Sequence, residues 1–254
     1  MSEYLYRRNV VREVLRANRR KIRRLLIDRS GAADGVLELE PLARTLGVRV
    51  ESATRADLDR ISNGANHQGV AVEVGEYPYV DLHDILADAK TQPRPLVLIL
   101  DLVQDPINVG RLLRTAEACG VVGVVMQDKR SGEITPAVVT TSMGASEHVR
   151  IARIPNLVRA MEDLKAADLW LAGLDLSDEA RPLNQVDLNV GLGIVVGNEG
   201  FGLRRLVREH CDMLVYLPMR GQVQSLNAAI AGSIVMYAAW QAQGFTGLRP
   251  PTAS

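Results

Sequence analysis

The chain has 254 residues, 47% of them hydrophobic and 24% charged, with a formal net charge of +0. Such a composition can bury enough apolar surface to offset chain entropy, which excludes a disordered chain; aromatics at 4% leave Val, Leu, Ile and Ala to build the core, as in an α/β protein with buried parallel strands. No uncharged run is long enough to span a bilayer and no signal peptide opens the chain, so the expectation is a soluble, cytoplasmic protein.

In chain order, Val10, Val11, Val14 and Leu15 fall on one helical stripe, and KIRRLLID reads as a strand. A helical stretch from about Val36 to Leu46 ends at Gly47, and VRVES alternates like a strand. A short charged helix (RADLDRIS), a turn-rich SNGANHQG and the strand GVAVEV complete a compact α/β unit, expected over residues 1–75. Its first thirty residues hold ten basic side chains (Arg7, Arg8, Arg12, Arg16, Arg19, Arg20, Lys21, Arg23, Arg24, Arg29) against three acids. Overall neutrality argues against a nucleic-acid partner, whereas this local excess attracts phosphates. A solvated arginine-rich helix reads the same way, and charge alone does not choose.

Pro78, Pro93 and Pro95 surround one short amphipathic helix, and residues 76–94 read as a linker. From residue 95 to 254 strands and helices alternate in the parallel-sheet manner: LVLILD, a helix VGRLLRTAEACG stopped at Gly120, then VGVVM, HVRIARI, DLWLAGLD, GLGIVVG and MLVYLP. The final helix, SLNAAIAGSIVMYAAWQA, is apolar nearly all round and is expected to be buried, in the core or against a partner subunit. Cys119 and Cys211 read as small buried hydrophobes rather than halves of a disulfide.

Three segments sit where ligands bind in open α/β sheets, at strand ends or helix starts. In DLVQDPINVGRLLRTA, Asn108 can cap a helix that carries Arg114 about one and a half turns on; a cap followed by a surface arginine is the plain alternative. In GIVVGNEGFGLRR, a buried strand enters a loop holding Gly197, Gly200 and Gly202, whose spacing does not fit the dinucleotide fingerprint. A tight strand–helix connection explains those glycines equally well, but does not require Glu199. In LPMRGQVQSLNAAIAG, Ser225 can cap the last helix, while the amide of Asn227 needs partners if buried.

Taken together, N-x-G-x-x-x-R-T-A at Asn108–Ala116, G-N-E-G-x-G at Gly197–Gly202, the P-M…S-L-N stretch from Pro218 to Asn227, and SMGASEHVRI from Ser142 closely resemble the SpoU family of RNA ribose methyltransferases within the SPOUT superfamily. The resemblance covers residues 96–243. SNGANHQGVAVEV looks like the end of the family's small companion domain, which is similar to ribosomal proteins that bind kinked RNA. The whole arrangement is most similar to bacterial members that methylate a guanosine ribose of large-subunit ribosomal RNA.

The resemblance implies a trefoil-knotted parallel-sheet domain, dimerising and binding S-adenosylmethionine, preceded by a small α/β RNA-binding domain. It implies a cofactor pocket around Gly197, Asn198, Glu199, Gly200, Leu217, Met219, Ser225, Leu226 and Asn227. It implies RNA contacts at Arg7, Arg8, Arg12, His67 and Gln68, although His67 and Gln68 fit a structural turn as well. Arg114 matches the family's catalytic arginine, with Asn108 and Glu199 expected to orient it and the ribose. A guanidinium keeps its proton, so a fixed cation beside the reacting oxygen is the more economical role than a base. No metal is expected, since His67, His83, His148 and His210 lack ligand spacing. Arg111, where a small or hydroxyl residue is usual, and Met143, inside the S-x-G-A segment, depart from the family pattern. A non-catalytic assembly factor would have lost Arg114, Glu199 or Asn227, and all three are present. Transfer to tRNA, or to ribosomal RNA in antibiotic resistance, stays open.

Overall fold

The computed structural model describes residues 3–30, 34–129 and 131–250. The chain divides into two units, one of residues up to Pro78 with Glu133–His148, the other of Tyr79–Gly132 with the chain from Val149 on. Elements are numbered in chain order.

The first unit runs β1 (Glu3–Tyr6), α1 (Arg8–Ala17), β2 (Ile22–Ile27), α2 (Asp34–Leu37), α3 (Leu39–Thr45), β3 (Arg49–Ser52), α4 (Arg55–Ile61) and β4 (Val70–Val74). Its sheet has the order β1-β4-β2-β3, with β4 antiparallel to β1 and β2, and β3 parallel to β2. The stripe Val10, Val11, Val14 and Leu15 is the buried face of α1. The expected single helix over Val36–Leu46 is two pieces. Breaking at Glu38 puts Pro41 in the first turn of α3, where its missing N–H costs no helical bond. A capping box starts α4: Thr54 Oγ1 accepts from the Asp57 amide at 3.2 Å, and Asp57 Oδ2 accepts from the Thr54 amide at 3.1 Å. The Thr54 hydroxyl and amide together hold the Asp57 carboxyl below its ordinary value.

The expected domain end at residue 75 leaves out a distant piece of chain. Residues 133–148, with α7 (Pro136–Thr141) and a 3-10 turn Ala145–Glu147, belong to the first unit. Glu147, 1% exposed, receives both Nε and Nη2 of Arg20 at 2.9 Å, and Arg20 Nη1 donates to Glu3 at 3.1 Å. The Arg20 guanidinium lies 4.9 Å from the Tyr77 ring centroid, and the Tyr77 hydroxyl donates to the Ser146 carbonyl at 2.8 Å. Burial pushes the Glu147 carboxyl up, against the pull of Arg20. Gly144 has a φ of +86°, and a Cβ there would come within 2.7 Å of Glu13 Cβ, so the glycine of the S-x-G-A segment lets α1 approach.

The second unit runs α5 (Leu82–Lys90), β5 (Leu96–Asp101), α6 (Pro106–Ala118), β6 (Gly123–Gln127), β7 (Ile151–Ile154), α8 (Leu157–Lys165), β8 (Trp170–Leu174), β9 (Arg181–Pro182), β10 (Leu192–Gly197), α9 (Arg205–Glu209), β11 (Met213–Tyr216) and α10 (Ala228–Ala242). Seven strands pair in parallel in the order β7-β6-β5-β10-β8-β11-β9. Every residue of β5 and β10 is buried, as in a sheet covered on both faces. Although late in the chain, β10 lies at the centre.

One expectation is corrected here. Residues 76–94 are not a free linker, because α5 packs into this unit's core: Ile85 is fully buried among Val97, Ile99 and Val125, over Gly123, where a Cβ would lie 2.7 Å from it. For α10, which was expected in the core or against a partner subunit, the single chain covers one face. Ala229, Gly232, Val235, Met236 and Ala239 face inward, while Ile230, Ile234 and Tyr237 are 44%, 42% and 52% exposed. Cys119 and Cys211 are both free thiols, raised to about 11 and about 12 first of all by burial.

Candidate active site

The helix after β5 is capped by Asp105, not Asn108: Asp105 Oδ1 accepts the Ile107 amide at 3.1 Å, and Pro106 takes the first helical position, where no N–H is needed. Asn108 is thereby turned inward in the first turn of α6, 4% exposed. The cap of α10 is likewise Asn227 rather than Ser225; its Oδ1 accepts the amides of Ala229 at 2.9 Å and Ile230 at 3.3 Å. After β10, Asn198 and Gly202 exchange two backbone bonds of 3.1 and 3.0 Å, closing a loop that carries Glu199. Gly197 has to be glycine, since a Cβ there would sit 2.4 Å from the Gly202 carbonyl carbon.

These turns bring the three sequence segments together. Asn227 Nδ2 donates to Asn108 Oδ1 at 3.1 Å, and Asn108 Nδ2 donates to Glu199 Oε1 at 2.8 Å. Asn108 thus uses both ends of its amide, which orients Glu199 against a buried neighbour and ties the α6 and α10 starts to the β10 loop.

Beside this set lies a cavity of about 420 Å³, over the C-terminal ends of β8, β10 and β11. Gly197, Asn198, Glu199, Gly200, Leu217, Met219, Ser225 and Leu226 line it, whereas Asn227 turns to Asn108 and to its own helix. The sequence reading missed Asp175, Leu176 and Ser177 after β8, Phe201, and Val215 and Tyr216 of β11, which also line it. Their only signal is position at the ends of strands, and it becomes readable once the strand order is known. The Ser177 hydroxyl oxygen is buried without a hydrogen-bond partner among the described residues. At the neighbouring strand end, the fully buried Asp101 accepts the amide and Nε of Arg204 at 2.8 and 2.6 Å, and Arg204 Nη2 reaches Gln127 at 2.9 Å, fixing the entry to α9.

Arg114 does not join the set. It lies six residues beyond Asn108, roughly 120° away around α6 at 3.6 residues per turn, and is exposed, with no hydrogen bond or ion pair to the described residues. The expectation that Asn108 and Glu199 orient it is therefore not met within one chain.

In the first unit, the Arg8 amide donates to Gln68 Oε1 at 3.0 Å, which brings Arg7, Arg8 and Gln68 together at the start of α1. His67 is 7% exposed and structural, with Nδ1 accepting the Gly69 amide at 3.0 Å and Nε2 lying 3.2 Å from Asp59. Arg12 is tied to Asn9 and Glu38. The basic excess is also smaller than the sequence suggests: Arg20 pairs with Glu147, Arg24 with Glu51 and Glu73, and Arg29 with Glu40. Among the described residues no cluster of His, Cys, Asp and Glu could hold a metal ion, and no helix is long and apolar enough to cross a membrane.

The SpoU rRNA Methylase family matches residues 95–237, more than half of the chain. The chain belongs to this family. The family of RNA 2′-O ribose methyltransferase substrate-binding domains matches residues 4–80. A relative from Bacillus subtilis (strain 168), the putative TrmH family tRNA/rRNA methyltransferase YacO, is 36% identical over 248 residues, 96% of this chain and 98% of that protein. Among solved structures, the AdoMet-bound rRNA methyltransferase of Sinorhizobium meliloti superposes with a TM-score of 0.79 at 24% identity, covering 94% of this chain and 87% of that one. The SpoU methyltransferase AviRb of Streptomyces viridochromogenes, in complex with AdoMet, gives 0.78 at 24% identity over 97% and 92%. At that identity the likeness speaks to the fold. This SpoU-family protein is an RNA methyltransferase, with the family's α/β fold.

Proposed function

We propose that this SpoU-family enzyme transfers the methyl group of S-adenosylmethionine to a ribose 2′-hydroxyl of RNA, a guanosine of large-subunit ribosomal RNA being the first candidate. The observation that carries the reading is the hydrogen-bonded set Asn108–Glu199–Asn227, assembled from three distant segments beside a cavity at the strand ends. The cavity fits the cofactor in size, since small-molecule sites run from about 300 to 1,000 Å³. It also fits in chemistry: a backbone exposed at Gly197–Gly202, the apolar Leu217, Met219 and Leu226, and the hydroxyls of Ser177 and Ser225. When bound, S-adenosylmethionine supplies a methyl group already activated on a sulfonium. What is left to the protein is to orient the ribose oxygen and stabilise the charge that develops on it.

Glu199, held by Asn108, orients the ribose. Arg114 supplies a fixed positive charge beside the reacting oxygen and its neighbouring phosphate, a role that needs no loss of its proton. Because Arg114 faces outward on α6, and Ile230, Ile234 and Tyr237 are exposed on α10, we read the working form as a homodimer that covers both helices. The first unit is the RNA-holding domain in this reading, supported by its match to the substrate-binding family and by Arg7, Arg8 and Arg12 around α1. The chain from β10 to α10 is the segment in which the family's trefoil knot is formed.

The test is incubation of the full chain with tritiated S-adenosylmethionine and, separately, undermodified ribosomal RNA, tRNA and ribosomal particles. Label in ribose of large-subunit RNA is expected, reduced at least about 100-fold by Arg114→Ala, the loss typical when a stabiliser of developing charge is removed. Label only in tRNA would move the substrate and keep the chemistry. No label in any sample would sink the reading.

A further inference from the structure

Phe201, in the loop that carries Glu199, is 61% exposed. The loop does not leave the ring in water by being slack. Besides the Asn198–Gly202 bonds, Asn198 Oδ1 accepts the Gly200 amide at 2.9 Å, and its Nδ2 donates to the Leu102 carbonyl at 2.9 Å. A pinned loop holding a large apolar ring outward leaves apolar area in water that a polar residue there would not. The ring lines the same cavity as Glu199, together with Leu176 and Met219, which are 65% and 37% exposed.

Glu199 and Phe201 are two residues apart, at most about 7 Å along the chain. In a nucleotide the base hangs directly on the ribose, so a ribose held at Glu199 brings its own base within reach of the ring. Aromatic side chains stack on unpaired bases, and proteins that select one nucleotide of an RNA mostly take it from loops, bulges and ends, where its base can be splayed out. We propose that Phe201 is the stacking platform for the base of the nucleotide being methylated. This rests on the RNA methyl-transfer reading above. Stacking is tolerant of base identity and stronger for larger rings, so the platform favours a purine without naming which one.

The experiment measures methyl transfer by the full-length wild type and by Phe201→Ala, →Leu, →Tyr and →Trp. The substrate is whichever of unmodified large-subunit ribosomal RNA or tRNA the wild type labels. Phe201→Ala is expected to lower kcat/KM about 5- to 150-fold, equivalent to the ~1–3 kcal/mol of one base stack at 1.4 kcal/mol per tenfold. Tyr and Trp should restore it and Leu should not, because Leu replaces apolar packing but offers no π face. Molecular mass by light scattering should match the wild type, and kcat/KM should fall well beyond any change in cofactor affinity measured by calorimetry, since the ring also borders the cofactor cavity. Rescue by Leu, or a matching fall in cofactor affinity or in mass, would assign the ring to packing, to the cofactor or to a subunit contact, and overturn the proposal. An unchanged Phe201→Ala beside an active wild type overturns this inference alone, whereas a wild type that labels no RNA removes the methyl-transfer reading as well.

Discussion

Asn108 spends its whole side chain on the site, giving an N–H to Glu199 and taking one from Asn227. Replacing it by Asp keeps the shape and the bond from Asn227, but sets a carboxylate against the Glu199 carboxylate where a 2.8 Å bond stood. Hydrogen bonds to charged groups contribute ~1.5–3 kcal/mol, so Asn108→Asp should lower kcat/KM by about 10- to 150-fold while the folded chain keeps its far-ultraviolet circular dichroism. Turnover equal to the wild type would show that the bond is idle in the reaction. The motifs singled out Asn108, Glu199 and Asn227, and the fold brings their side chains into one hydrogen-bonded set. Their division of labour was not legible there, because whether a residue caps a helix or points inward depends on where the helix starts. Asp105 with Pro106 moved that start three residues upstream of Asn108, and Asn227 took the cap that Ser225 could have supplied.

At the scale of elements, local chemistry was easiest to read where it is self-contained. The short helix α4 owes its start to the Thr54–Asp57 capping box. Thr54→Ala should lower the melting temperature by a few degrees at neutral pH, measured by calorimetry. The effect has a sign with pH. Asp57 is held below its ordinary value in the folded chain, so its stabilisation is present above the unfolded value and is lost as pH falls through the lowered one. The gap between wild type and variant should therefore narrow in strongly acidic solution, leaving the share of the bond from the Asp57 amide to Thr54 Oγ1, and a gap of constant size would exclude a contribution from the Asp57 carboxylate. The buried strands LVLILD and GIVVG were equally plain, being continuous apolar runs. The strand β1 was not seen, since its four residues gain their character from pairing with β4, some seventy positions away. The helix α5 was taken for a linker because its flanking prolines outweighed the few core side chains, Ile85 and Ala89 above all, that anchor it.

On the scale of the whole molecule, no local signal announces that residues 133–148 complete the first unit. The most buried link is one arginine and one glutamate, each unremarkable in its own segment, that meet with side chains 0% and 1% exposed. Removing Glu147 leaves the buried guanidinium with Glu3 at one nitrogen only, and Glu147→Ala should cost up to ~3–5 kcal/mol, read as a fall in the urea midpoint of the first unfolding transition. Replacing both, Arg20→Met with Glu147→Leu, should recover most of that loss. A single variant as stable as the wild type would contradict the pairing. The same pair sets a schedule for synthesis. Arg20 leaves the ribosome 127 positions ahead of Glu147. At ~5–20 residues per second, the nascent amino-terminal unit spends on the order of 6–25 s with Arg20 paired to Glu3 alone, the two guanidinium nitrogens that Glu147 will take still waiting. During that interval the growing chain carries a domain that its own later segment has yet to complete.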